Sequence, residues 1–323
     1  MVIQMKKVGT LLSSFLPVIV SLGIQIAVSL ILGFWFAVFK TAVDASQGAT
    51  VEQILAELPL LYTSPLFNDL LLAITYISCG IVFLQWYRKQ REKRTPAGSH
   101  EVFCIRNLII YLITGFSTQV AVSMCLALIL PLFPQTQANY MQLLESLIGG
   151  NVFVTVLATV ILAPVVEEII FRELMTKKLC KLFPFWFVNI IQAITFGIYH
   201  LNIVQAVYAF VLGLLLGYVA YRLKSVWASV ILHGAINASA LVVDILLPDA
   251  LMESITGMII FAVLCGSITI LLSLLYHIPR SGVAIDYQPV LADADISAAA
   301  FVSVSAAEAE TSDADTLDAD TEL

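Results

Sequence analysis

Long apolar runs separated by short polar connections set the organisation of this 323-residue chain. A helix that crosses a hydrocarbon core about 30 Å thick needs roughly 20 mostly apolar residues, and eight runs approach that length. The first extends from Leu11 to Phe39. Its apolar core far exceeds the roughly 7 to 15 residues of a cleaved signal peptide, so an uncleaved span is expected. The next three cover Leu70 to Trp86, Leu108 to Phe133 and Val152 to Arg172. A fifth leads up to Leu201, and the last three cover Val204 to Arg222, Val226 to Leu247 and Ile255 to Tyr276. The predicted fold class is all-α, a polytopic membrane helix bundle of about eight transmembrane helices. The stretch holding Gln135, Gln137 and Glu145 reads as a polar outer loop, and Gly213 with Gly217 forms a G-x-x-x-G that permits close helix packing.

Charge supplies an orientation. Lys6 and Lys7, the block from Arg88 to Arg94, the trio Lys177, Lys178 and Lys181, the pair Arg222 and Lys224, and Arg280 all fall on alternate connections. The intervening connections are neutral or acidic, as with Asp44, Glu52, Glu57 and Asp69. Basic loops mark the cytoplasmic side, which predicts a multi-pass protein of the cell membrane with both termini cytoplasmic.

Composition agrees, because 60% hydrophobic and 12% charged residues exclude an ordinary soluble protein. The net charge of −7 is misleading, since positions 281–323 hold ten Asp or Glu and no Lys or Arg, leaving +3 on the remainder. That acidity argues against a nucleic-acid partner, and a low-complexity acidic segment poor in aromatics is expected to be disordered. Four parts result: helices one to three with their loops (1–150), a polar-motif core (151–248), the last helix (249–280) and the acidic tail (281–323). Five cysteines in no ligand spacing point to neither a disulfide framework nor a cysteine metal site.

The core departs from the apolar rule. Glu167 and Glu168 are adjacent inside the fourth run, and Arg172 follows four residues after the second. Ionisable groups at membrane depth mark a functional site by default. Glu168 and Arg172 have the spacing of an i,i+4 ion pair, whereas Glu167, turned about 100° away, gains no local partner. Phe196 and His200 share a helical face, and so do His233 and Asn237. One Glu, two His and one Asn on three helices can form a polar cluster. The plainest reading is interhelical hydrogen bonding alone, but that leaves Glu167 without a reason. A desolvated carboxylate with an imidazole can activate water, and an imidazole with a carboxamide can hold an oxyanion. Alternatively, the same His and Glu side chains hold a divalent metal such as zinc. Counted at about 1.5 Å per residue, His200 lies roughly 20 Å from Trp186, deeper than the other candidates; a break at Pro164 or short, tilted fifth and sixth helices would reconcile them.

Glu-Glu-x-x-x-Arg, Phe-x-x-x-His and His-x-x-x-Asn, in that order on successive apolar helices, resemble the motif set of the CPBP intramembrane proteases, which include CAAX prenyl endopeptidases and bacterial Abi-type proteins. The resemblance covers Val152 to Leu247. It implies that Glu167 and His200 activate water, that His233 and Asn237 stabilise the oxyanion, and that Glu168 and Arg172 support them. It further implies an endopeptidase, glutamate-dependent or of metallo type, acting on a membrane-associated peptide or a lipid-modified protein. The competing expectations are a non-proteolytic interaction or bacteriocin-immunity protein of the same fold, and a transporter that uses Glu167 as a proton relay.

Overall fold

The computed structural model describes residues 2–57, 59, 64–91, 102–248 and 253–276. The end of the basic block (92–94), His100, His277, Arg280 and the acidic segment 281–323 lie outside the described residues.

Every apolar run is helical. Helix α1 (Val2–Ser14) passes through Phe15 into α2 (Leu16–Ser46), whose first turn contains Pro17. A short α3 (Val51–Glu57) precedes α4 (Pro65–Arg91) and α5 (Ile105–Ile129). Then come α6 (Pro134–Ile148), α7 (Val152–Leu179), α8 (Phe185–Tyr199), α9 (Ile203–Arg222), α10 (Val226–Ala240), α11 (Val243–Leu246) and α12 (Ile255–Leu274). Side chains that compete for backbone N–H groups set the starts of several. Asn151 caps α7, Asn202 caps α9, Ser225 caps α10 and Ser254 caps α12, each accepting from N–H groups that the first turn leaves unpaired.

The helical bundle is as expected but its helices are of unequal length, and one loop expectation changes. Among the described residues, six helices are long and apolar enough to cross a membrane, but α8 and α10 have 15 residues each. At about 1.5 Å per residue they reach about 22 Å, short of a hydrocarbon core about 30 Å thick. The stretch read as a polar outer loop is the helix α6, which packs Tyr140, Leu143 and Leu144 around Leu130 and Val204. A helix lying on a bundle needs only one apolar face, so Gln135, Gln137 and Glu145 fit its other positions.

Helix α7 lies at the centre, with half of its most apolar window buried against 6% for the peripheral α12. Pro164 does not break it. Instead, the helix is wound in wider π turns over Leu157–Leu162 and Ile169–Thr176, on either side of an α-helical stretch, Ala163–Glu168, that carries Pro164 and both glutamates. Helices α8 and α9 form a tight antiparallel hairpin through Leu201 and Asn202, with Leu201 at φ +55°. Gly213 and Gly217 allow that hairpin to close: a Cβ on Gly213 would meet Ala193 Cα at 3.0 Å, and one on Gly217 would meet Asn189 Oδ1 at 1.9 Å. The space is filled by hydrogen bonds, since Asn189 Nδ2 donates to Leu214 O (3.1 Å) and Gln192 Nε2 to Gly213 O (2.8 Å). On the other side, Ser117 and Thr269 join α5 to α12 through their hydroxyls at 2.9 Å.

Candidate active site

The α-helical stretch between the two π segments presents Glu167 and Glu168 to different neighbours, as a rotation of about 100° per residue requires. Arg172 Nη1 donates to Glu168 Oε1 at 2.9 Å, the pairing that the i,i+4 spacing predicts. Arg172 is committed further: Nη2 reaches Gly213 O at 3.3 Å, and the guanidinium carbon lies 4.6 Å from the centre of the Phe196 ring. Both partners are at most 1% exposed, so water contributes nothing to their solvation and the protein must supply it.

Glu168 has a second partner that its spacing does not reveal. His233 Nδ1 lies 2.9 Å from the same Oε1. An ionised carboxylate only accepts, so this nitrogen carries a proton and Nε2 is directed away from Glu168. Nε2 stands 3.9 Å from Glu167 Oε2, too far for a direct hydrogen bond. An oxygen set off the line between them can touch both. Glu167 is also not without a partner, as its local sequence suggested: the Tyr76 hydroxyl, from α4, donates to Oε1 at 3.0 Å.

One turn beyond His233, Asn237 Nδ2 donates to Thr159 O at 2.8 Å. Thr159 lies in the first π segment, and a Cβ on Gly234 would come within 2.9 Å of Val160 O. The widened turns of α7 thus present carbonyls to α10 at close range. π turns of this kind recur at functional sites.

His200 follows the last residue of α8, half-buried, with Nδ1 2.8 Å from Phe196 O. The carbonyl can only accept, so Nδ1 carries the proton and Nε2 keeps its lone pair. Its ring meets Phe196 edge-on at 4.9 Å between centroids, and the same Phe196 ring meets His233 edge-on at 5.9 Å. Glu167, Glu168, Arg172 and His233 therefore form one connected cluster. Asn237 joins it through α10, and His200 adjoins it across Phe196. Among the described residues, His200 makes no hydrogen bond to Glu167.

Sequence reasoning missed two contributors and one buried ion pair beside them. Tyr76 and Thr159 act from segments with no charge or motif to flag them. Glu173, buried and ion-paired to Lys177, was legible from i,i+4 spacing alone. Among the described residues, no three or more His, Cys, Asp or Glu are grouped to hold a metal ion. The two carboxylates and the imidazole that do meet are a poor donor set, because Glu168 Oε1 already serves both Arg172 and His233.

Residues 149–239 match the family described as "Type II CAAX prenyl endopeptidase Rce1-like". The chain is also 24% identical over 90 residues to the "Putative membrane peptidase YdiL" of Bacillus subtilis (strain 168), an alignment covering 28% of this chain and 37% of that protein. The chain thus spans little more than a third of the length of the curated relative it matches. No solved structure matches it. The matched segment holds both glutamates, Arg172, both histidines and Asn237, so the family match and the resemblance to the CPBP intramembrane proteases rest on the same stretch of the chain.

Proposed function

We propose that the protein is an intramembrane endopeptidase that hydrolyses a peptide bond of a membrane-associated peptide or lipid-modified protein with water activated by Glu167. The observation that carries this reading is the facing of Glu167 Oε2 and His233 Nε2 at 3.9 Å inside a buried cluster, with each residue fixed from behind by another side chain.

In this reading Glu167 takes a proton from a water that His200 Nε2 helps to orient, and the water oxygen bonds to the substrate carbonyl carbon. The carbonyl π electrons move to its oxygen, which receives hydrogen bonds from protonated His233 Nε2 and from Asn237. The Asn237 amide has two N–H groups, so one remains for the oxyanion while the other holds Thr159 O. Both ring nitrogens of His233 must carry protons in the chemical step, so that two carboxylates face one guanidinium and one imidazolium, a balance that suits a desolvated site. Collapse of the tetrahedral species breaks the C–N bond, and Glu167 returns its proton to the leaving amine. No step runs through a metal, because the clustered donors do not fit one.

The test is cleavage of a panel of membrane-tethered peptides, prenylated and unprenylated, by purified protein, with Glu167→Gln as control. Glu167-dependent cleavage supports the reading. A folded protein that cleaves none of them overturns it in favour of a non-proteolytic interaction role. Activity is expected to persist in excess chelator; stoichiometric zinc whose removal abolishes cleavage and whose return restores it would overturn the role given to His233.

A further inference from the structure

Glu167 is reached from outside the matched segment. Its two carboxylate oxygens are in different situations: Oε2 faces His233 Nε2 at 3.9 Å, whereas Oε1 accepts from the Tyr76 hydroxyl at 3.0 Å. Tyr76 lies on α4, more than 70 residues before residues 149–239, and α4 packs directly along the Ala163–Glu168 stretch. Gly80, one turn further along α4, faces the same stretch, where a Cβ would lie in ordinary van der Waals contact, 3.9 Å from Val166 Cγ2. The Tyr76 ring packs against the buried cluster that holds Val166 and Ile170, so the phenol has little freedom to turn away. Its neighbourhood is polar for a membrane bundle. Tyr199, which precedes His200, shares a hydrogen bond with Ser21 at 2.7 Å and accepts one from Gln25, both on α2. The N-terminal helices therefore reach the core through hydroxyls and an amide as well as through apolar packing.

A phenol differs from a lysine or arginine in that position. It donates one hydrogen bond to a carboxylate without adding charge, so it fixes the group while leaving its capacity to accept a proton. We infer that Tyr76 is a positioning residue of the proteolytic site, holding Oε1 of Glu167 so that Oε2 alone is presented to the water and to His233. The inference rests on the proposed protease reading and extends it: the site is completed by α4, outside the matched family segment.

Tyr76→Phe removes the hydroxyl and keeps the ring. The variant is expected to lower kcat on the tethered peptide about 10- to 100-fold, in the range of a misplaced general base, with KM within about twofold of wild type. In a Glu167→Asp background, whose shorter carboxylate the phenol no longer reaches, the same change should lower kcat less than threefold further. Thermal unfolding of Tyr76→Phe, Glu167→Ala, which removes the acceptor, and the double variant supplies a readout free of activity: the double should melt no lower than the worse single. An active enzyme whose Tyr76→Phe variant keeps wild-type kcat, or loses only in KM, overturns the role of Tyr76 and leaves the protease reading standing. Wild-type protein that cleaves no peptide overturns both, and coupled melting would then record the hydrogen bond as structural only.

Discussion

Glu168 and Glu167 are neighbours in sequence with different work. Glu168 is shared between Arg172 and His233 and is fully buried, so it orients the imidazole as well as its own helix. Breaking a buried ion pair from one side strands a charge. Arg172→Met should therefore lower stability by about 3 to 5 kcal/mol, and adding Glu168→Gln should recover part of it; thermal unfolding in detergent checks the order, and a single variant no worse than the double removes the pairing. Among the described residues, Glu167 has hydrogen-bond support on one oxygen only, which suits the proton acceptor proposed above. Glu167→Gln and His200→Ala are expected to be folded and nearly inactive. Asn237→Ala should keep weak cleavage, about a hundredfold to a thousandfold below wild type, with substrate binding close to normal. If Asn237→Ala instead abolishes binding, the amide holds α7 to α10 through Thr159 and has no part in the chemical step.

Between α8 and α9, two missing side chains decide the geometry. Because a Cβ on Gly217 would fall 1.9 Å from Asn189 Oδ1, Gly217→Ala should destabilise the protein by about 1 to 3 kcal/mol, and Asn189→Ala should relieve most of it. Melting temperatures of the two variants and their combination test this; an unperturbed Gly217→Ala would remove the close approach. The G-x-x-x-G spacing was legible in the sequence, as were all eight apolar runs and the Glu168–Arg172 pair, because each is a local periodicity. The residues that were not legible are those whose partner lies far along the chain. The Tyr76 contact spans 91 positions and the Asn237–Thr159 contact 78. Neither involves a charge pattern, and a tyrosine or threonine within an apolar run looks like filler until the helices are assembled. The π turns were hidden for another reason: hydrophobic periodicity near 3.6 does not report a local widening. Helix α6 was hidden by its polarity, since a segment needs only Tyr140, Leu143 and Leu144 on one side to bind the bundle.

At the scale of the molecule, basic and acidic connections alternate, which makes orientation testable. We propose that both termini and the connection after α4 are cytoplasmic, so single cysteines at Gln47 and Gln90, in a background with the five native cysteines replaced, should be labelled from opposite sides of the membrane. Labelling of both from one side overturns this topology. The central helix raises a different matter, namely the order in which the chain is built. Glu167, Glu168, Arg172 and Glu173 all lie within α7, and each ionised group near the middle of a membrane opposes insertion by roughly 2.5 to 3.5 kcal/mol. The i,i+4 neighbours Arg172 and Lys177 are synthesised with them and can pair at once. Tyr76 is already in place on α4, but His233 emerges 65 residues after Glu168. During synthesis α7 is therefore expected to be held, incompletely neutralised, at the insertion machinery until α10 arrives. A chain stopped after Lys224 should then be degraded faster than the full chain, and equal lifetimes of the two in a pulse-chase would overturn this.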